Sequence, residues 1–107
     1  MPKFIQERVA RVPSQNQRVT GGYLELALGG NHVLSLDSAQ FQVLDPGAAH
    51  RDVFLPDATY CQGGWFWIRN IGGGNNLVIK NGAVTVATVS SGAGWHFVSN
   101  GIDWSPA

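Results

Sequence analysis

Charge is scarce in this chain. Only 13% of its 107 residues are Asp, Glu, Lys or Arg, and seven basic residues balance seven acidic ones. That is about half the charged share of an ordinary soluble domain. A free monomer so thinly charged is poorly protected against association, which points to a protein that lives in an assembly. The other reading is an ordinary β-domain with a surface rich in Ser, Thr, Asn and Gln. Cysteine is nearly absent: Cys61 stands alone, which excludes an intramolecular disulfide framework. Beside Tyr60 and Trp65 it reads as a small buried hydrophobe rather than a reactive thiol. No apolar run reaches the length of a transmembrane helix. The N-terminal stretch holds Lys3, Glu7, Arg8 and Arg11 with no apolar core between them, unlike a signal peptide. The expectation is synthesis and folding in a reducing cytosol, with no membrane partner.

Recognisable catalytic patterns are missing as well. The sequence has no Gly-x-Ser-x-Gly elbow, no phosphate-binding glycine loop followed by Lys, and no His-Glu-x-x-His, so the usual hydrolase, nucleotide and zinc-protease signatures do not apply. His32, His50, His96 and Cys61 are dispersed, whereas a zinc site normally shows at least one close ligand pair. Asp52 and Asp57 are the nearest acidic pair, and they flank a strand ending in Pro56, which suits a rim or turn role better than acid–base work. No cofactor, no metal and no enzymatic activity are expected. A jelly-roll metal enzyme would need a His-x-His pair, which is lacking.

What the chain does have is glycine and strand-forming residues. Fourteen glycines separate short runs rich in Val, Ile, Phe and Trp, the rhythm of an all-β domain. Tyr23–Leu28 alternates, with Leu24, Leu26 and Leu28 on one face and Tyr23, Glu25 and Ala27 on the other. Further strands are expected at His32–Leu36, Gln40–Leu44 (with Phe41 and Val43 inward), Arg51–Leu55, Trp65–Ile71, Leu77–Lys80, Val84–Val89, Trp95–Ser99 and Ile102–Trp104. A helical turn is allowed near Pro46–His50. Asp45-Pro46-Gly47 is a turn in which Pro presets φ and Gly accepts a positive φ. Asn81-Gly82 and Asn100-Gly101 are hairpin signals. The glycines at 72–74 read as a loop needing positive φ. The strand count predicts a jelly-roll-like sandwich or small barrel of about eight or nine strands. No internal repeat is visible, which argues against a propeller or solenoid.

The charge is not evenly spread. Residues 1–18 carry Lys3, Arg8, Arg11 and Arg18 against Glu7 alone, and the remainder holds three basic and six acidic residues. Phe4–Val12 reads as extended, Pro13 ends it, and Ser14–Thr20 is a polar linker. The expected organisation is therefore an extended N-terminal arm and linker at 1–20 and a single β-domain at 21–107. Phe4, Ile5 and Val9 could anchor the arm on another subunit, with Arg8 and Arg11 pairing with its acidic residues. A solvated tail is the alternative. Four diluted basic residues make no nucleic-acid patch.

Four tryptophans, Trp65, Trp67, Trp95 and Trp104, stand out. Trp65 and Trp67 share one face of a strand whose other face already holds Phe66 and Ile68. They lie under a second sheet, form a protein interface, or make a platform for sugar rings.

The run from Leu44 to Trp104 has a distinctive order. Leu-Asp-Pro-Gly leads to Asp-Val-Phe-Leu-Pro at 52–56. Gly-Gly-Trp-Phe-Trp-Ile-Arg-Asn-Ile-Gly follows at 63–72, then Asn-Leu-Val-Ile-Lys-Asn-Gly at 76–82, Val-Ala-Thr-Val at 86–89 and Ser-Asn-Gly-Ile-Asp-Trp at 99–104. This resembles the small head decoration, or cement, proteins of tailed phages, and similar runs occur in phage fibre and tail modules. The resemblance implies a jelly-roll-like domain that sits as a dimer or trimer on the outer surface of the capsid and locks neighbouring major capsid protein subunits. It transfers no active site. A receptor- or carbohydrate-binding module of a fibre or tail is the alternative it leaves open.

Overall fold

The computed structural model describes residues 22–107. The expected arm and linker, and with them Phe4, Ile5, Arg8, Val9 and Arg11, lie outside the described residues.

Nine strands form: β1 (Tyr23–Ala27), β2 (His32–Val33), β3 (Phe41–Asp45), β4 (Arg51–Phe54), β5 (Trp65–Asn70), β6 (Leu77–Asn81), β7 (Val84–Val89), β8 (Gly94–Ser99) and β9 (Trp104–Pro106). They make a five-stranded sheet in the order β1-β3-β5-β8-β9 and a four-stranded sheet in the order β2-β4-β6-β7. The protein is an all-β sandwich of two mixed sheets. Among the described residues the one short helical turn is a 3-10 segment at Ala58–Tyr60, not at Pro46–His50.

The connectivity has a simple logic. From β1 to β6 each strand passes to the opposite sheet. A chain that crosses at every step returns to each sheet running the same way, so β1, β3 and β5 pair in parallel, as do β2, β4 and β6. The first reversal within a sheet comes at Asn81-Gly82, where β6 and β7 pair antiparallel. The second comes at Asn100-Gly101, between β8 and β9. Gly82 and Gly101 hold positive φ, 62° and 90°, which costs glycine nothing and other residues strain. The two Asn-Gly signals thus mark the hairpins, and the other corners are crossovers. Six strands wind like the coils of a short solenoid although the sequence does not repeat, because coil stacking needs matching strand spacing and inward apolar residues, not identical side chains.

The core lies between the sheets. Leu44, Phe66, Ile68 and Phe97 come from one sheet, and Val53, Leu77, Ile79 and Val89 from the other, all buried. Trp104 closes one end: its ring packs 5.7 Å from Phe66, and its Nε1–H donates to the Pro56 carbonyl at 2.6 Å. Cys61 is partly buried against the core, and its Sγ–H donates to the Asp57 carbonyl at 3.3 Å.

Polar groups buried here are partnered, as their burial requires. Asn70 donates through Nδ2 to the carbonyls of Asn75 and Val89, at 2.8 and 3.0 Å, and accepts from the Gly72 N–H at 2.8 Å. It thereby ties the corner after β5 to the end of β7. Gln42 donates to the Ala39 carbonyl at 2.7 Å, and its Oε1 lies 3.1 Å from His32 Nε2, bridging the two sheets. These bonds explain a departure in β3: Gln42 and Leu44 face inward and are fully buried, while Phe41 and Val43 take the outer face. The glycines at 72–74 also depart from expectation, since none is among the positive-φ glycines. Gly72 is required by proximity: a Cβ there would lie 2.7 Å from Pro46 Cδ, where two corners stack.

Candidate functional site

Strand register decides what the outer face of the five-stranded sheet displays. β1, β3 and β5 align Tyr23 with Phe41 and Phe41 with Trp67, and β8 sets His96 opposite Trp67. One row across four strands is therefore Tyr23–Phe41–Trp67–His96. Side chains alternate along each strand, so Trp65 shares this face one row away, opposite Val98, and the row on the other side is Glu25–Val43–Arg69–Gly94. Trp65 and Trp67 are thus neither under a second sheet nor isolated. They are half-buried in a cluster of rings on the outside of the sandwich.

The rings are held in fixed poses. Trp65 meets Phe41 edge-to-face, with centroids 5.6 Å apart and planes at 83°, and meets His96 at 5.4 Å and 71°. Such T-shaped pairs add about 0.5–1.5 kcal/mol beyond burial. Trp67 lies over Gly94, where a Cβ would come within 2.8 Å of its Cζ2. The glycine lets the indole settle on the sheet. Between Phe41, Trp65, Trp67 and His96 runs an open trough of about 380 Å³. Glu25 and Arg69 are exposed beside it. Tyr23 is 64% exposed and donates its hydroxyl to Glu25 Oε1 at 3.1 Å. That hydrogen bond to a carboxylate, with smaller desolvation and charge effects, raises the phenol above its ordinary pKa.

A second depression of about 230 Å³ lies at the end of the sandwich, with Leu36, Asp37, Gln40, Cys61, Trp65 and Trp104 among its walls. Gln40 is spent in a bond to the Trp65 carbonyl. Nearby, Asp57 accepts from the Thr59 N–H and hydroxyl at 3.0 and 2.8 Å, and those bonds hold its carboxyl below the ordinary range.

The dispersed histidines stay dispersed. His32 bonds Gln42, His50 Nδ1 accepts from the Asn76 N–H at 2.8 Å, and His96 packs on Trp65. Among the described residues no group of three His, Cys, Asp or Glu could hold a metal ion. Asp52 and Asp57 do not converge on one site: Asp52 aligns with Val78 within its sheet and Asp57 caps the 3-10 turn. Of the residues expected at an interface, the described structure brings together Trp65 and Trp67. It adds Phe41, His96 and Gly94, which sequence reasoning missed. The alternation Gly94, His96, Val98 opposite Arg69, Trp67, Trp65 was the available signal, but it needs the β5–β8 pairing to be read.

No family model matches this chain, and no curated protein or solved structure matches it either.

Proposed function

We propose that this is a structural virion protein, a capsid decoration or cement protein that binds the outer surface of the major capsid protein lattice as a homo-oligomer and catalyses no reaction. The observation that carries the reading is an open, apolar flank. β1 and β2 end the two sheets on the side where the winding starts. Among the described residues no strand pairs with their outer edges. Leu26, Val33 and Leu36, on or just beyond these strands, are exposed large apolar side chains. Natural sheets usually blunt such edges. Unpaired edge backbone and apolar anchors are what strand addition by a neighbouring protein uses. In this reading residues 1–18, which carry four of the seven basic residues, contact the same partner.

A cement protein needs a rigid body and a surface that binds only the assembled lattice, because energy gained there alone adds to the stability of the shell. Many copies act together, so each contact can be modest.

The test is co-sedimentation with expanded capsids lacking this protein. Saturable binding that raises the capsid's melting temperature is expected, and deleting residues 2–18 weakens it while the domain still melts at nearly the same temperature. Absence from purified virions, or binding to a glycan in preference to capsids, overturns the reading.

A further inference from the structure

We propose that the aromatic outer face of the five-stranded sheet is the surface through which copies of this chain associate, with Glu25 of one copy set against Arg69 of the next. This deepens the assembly reading above and rests on its premise that copies associate, while leaving the β1–β2 flank free for the capsid.

Glu25, Val43 and Arg69 form one row on adjacent strands, so the two charges sit two strand spacings apart, about 10 Å. Both are exposed, and they have opposite sign. The next row carries Tyr23, Phe41 and Trp67 on the same three strands. A second copy turned over to face the first, about an axis along β3, exchanges the positions of β1 and β5. Glu25 then faces Arg69 and Arg69 faces Glu25. Tyr23 faces Trp67, and Phe41 and Val43 meet their own counterparts. An isologous contact demands this kind of self-complementarity. A ring in which the β1 side of one face meets the β5 side of the next satisfies the same charge pair.

The chemistry of the face fits a protein partner of its own kind. Aromatic rings already ordered by their neighbours lose little entropy on binding, and such residues dominate interface energies. The trough between Trp65 and Trp67 is open and its four lining residues are Phe41, Trp65, Trp67 and His96, so the centre is apolar and the charges stand beside it. That is the usual layout of an interface core and rim. With equal numbers of acidic and basic residues in the chain, no long-range repulsion opposes the contact.

Sedimentation equilibrium of the full chain over a concentration series is the experiment, with circular dichroism on each variant to show that it is folded. The wild type is expected to associate. Glu25→Arg and Arg69→Glu should each weaken association about tenfold, a typical loss for one like-charge contact. The Glu25→Arg/Arg69→Glu double variant should return to within about threefold of wild type, since swapping both charges restores the pair. If a reversal disturbs folding, Glu25→Gln and Arg69→Gln carry the same logic with smaller losses, and their combination should cost no more than either alone. A wild type that remains monomeric overturns the proposal. So does a double variant as weak as the two single losses added together. Weaker capsid binding by Trp67→Ser in a protein that is otherwise monomeric also overturns it, and hands this face to the capsid. Failure of co-sedimentation with normal self-association would instead strike the cement reading and leave this one standing.

Discussion

The two outer faces of the sandwich are built from the same alternation and end up with different surfaces. The five-stranded sheet shows Tyr23, Phe41, Trp65, Trp67 and His96 outward. The four-stranded sheet aligns Asp52 with Val78, Phe54 with Lys80, Val78 with Thr88 and Lys80 with Thr85. That second surface holds one ring, two opposite charges, two threonines and the valines Val33 and Val78, with no cluster of rings. Both faces lie over the same core, so burial inside the domain cannot account for the difference. In the proposed assembly these outward rings form the surface used between molecules.

Loss of the frame beneath both faces disables both. Asn70→Ala strips partners from the Gly72 N–H and the Asn75 and Val89 carbonyls. Each buried group left unpaired costs about 1–3 kcal/mol, so a total loss of about 3 kcal/mol or more is expected in urea unfolding. Stability and association should fall together.

Gly94→Val strikes one face alone. Its Cβ would lie 2.8 Å from the Trp67 ring, and the crowding should cost about 1–3 kcal/mol. The displaced indole should shift the tryptophan emission, and association should drop. Paired surface variants come next. Trp67→Ser should weaken self-association by roughly 30-fold or more, as loss of an interface anchor does. Phe54→Ser, on the other sheet, should leave association unchanged and lower stability by only about 1 kcal/mol, since it is half-exposed. Equal effects from the two would erase the distinction between the faces.

The smallest effect is a pH dependence that touches neither face. The Asp57 carboxyl lies below its ordinary pKa because it accepts two bonds from Thr59. A depressed carboxyl stabilises the fold above its unfolded pKa and loses that contribution as pH falls through its folded value. Asp57→Ala should therefore slightly flatten the acid limb of melting temperature against pH and leave association unchanged at neutral pH.

Much of this was legible in the sequence, and the rest was hidden for identifiable reasons. The alternation in Trp65–Ile71 separates Phe66 and Ile68 from Trp65, Trp67 and Arg69, as the structure does. The two Asn-Gly pairs locate the two hairpins. The parallel winding was not legible, because crossovers at Gly and Pro corners look like any other turn until the partner strand is known. In β3 the apolar residues at 41 and 43 suggested the wrong inward face. The buried residues are Leu44 and Gln42; the Gln42 amide is satisfied by Ala39 and His32, and no pattern of hydrophobicity reports a satisfied polar group. The aromatic cluster was half visible: Trp65 and Trp67 are two apart in the chain, whereas Phe41 and His96 join them through pairings distant in sequence.

In the proposed assembly the aromatic outer face is covered by another copy of the chain. Hydroxyl-radical footprinting of the full-length protein at dilute and concentrated conditions tests it most directly. Trp65, Trp67 and Phe41 should become several-fold less reactive as concentration rises, while Tyr60 and Phe54, away from that face, keep a constant rate. Unchanged reactivity of Trp65 and Trp67 at concentrations where the protein sediments as an oligomer would contradict the account.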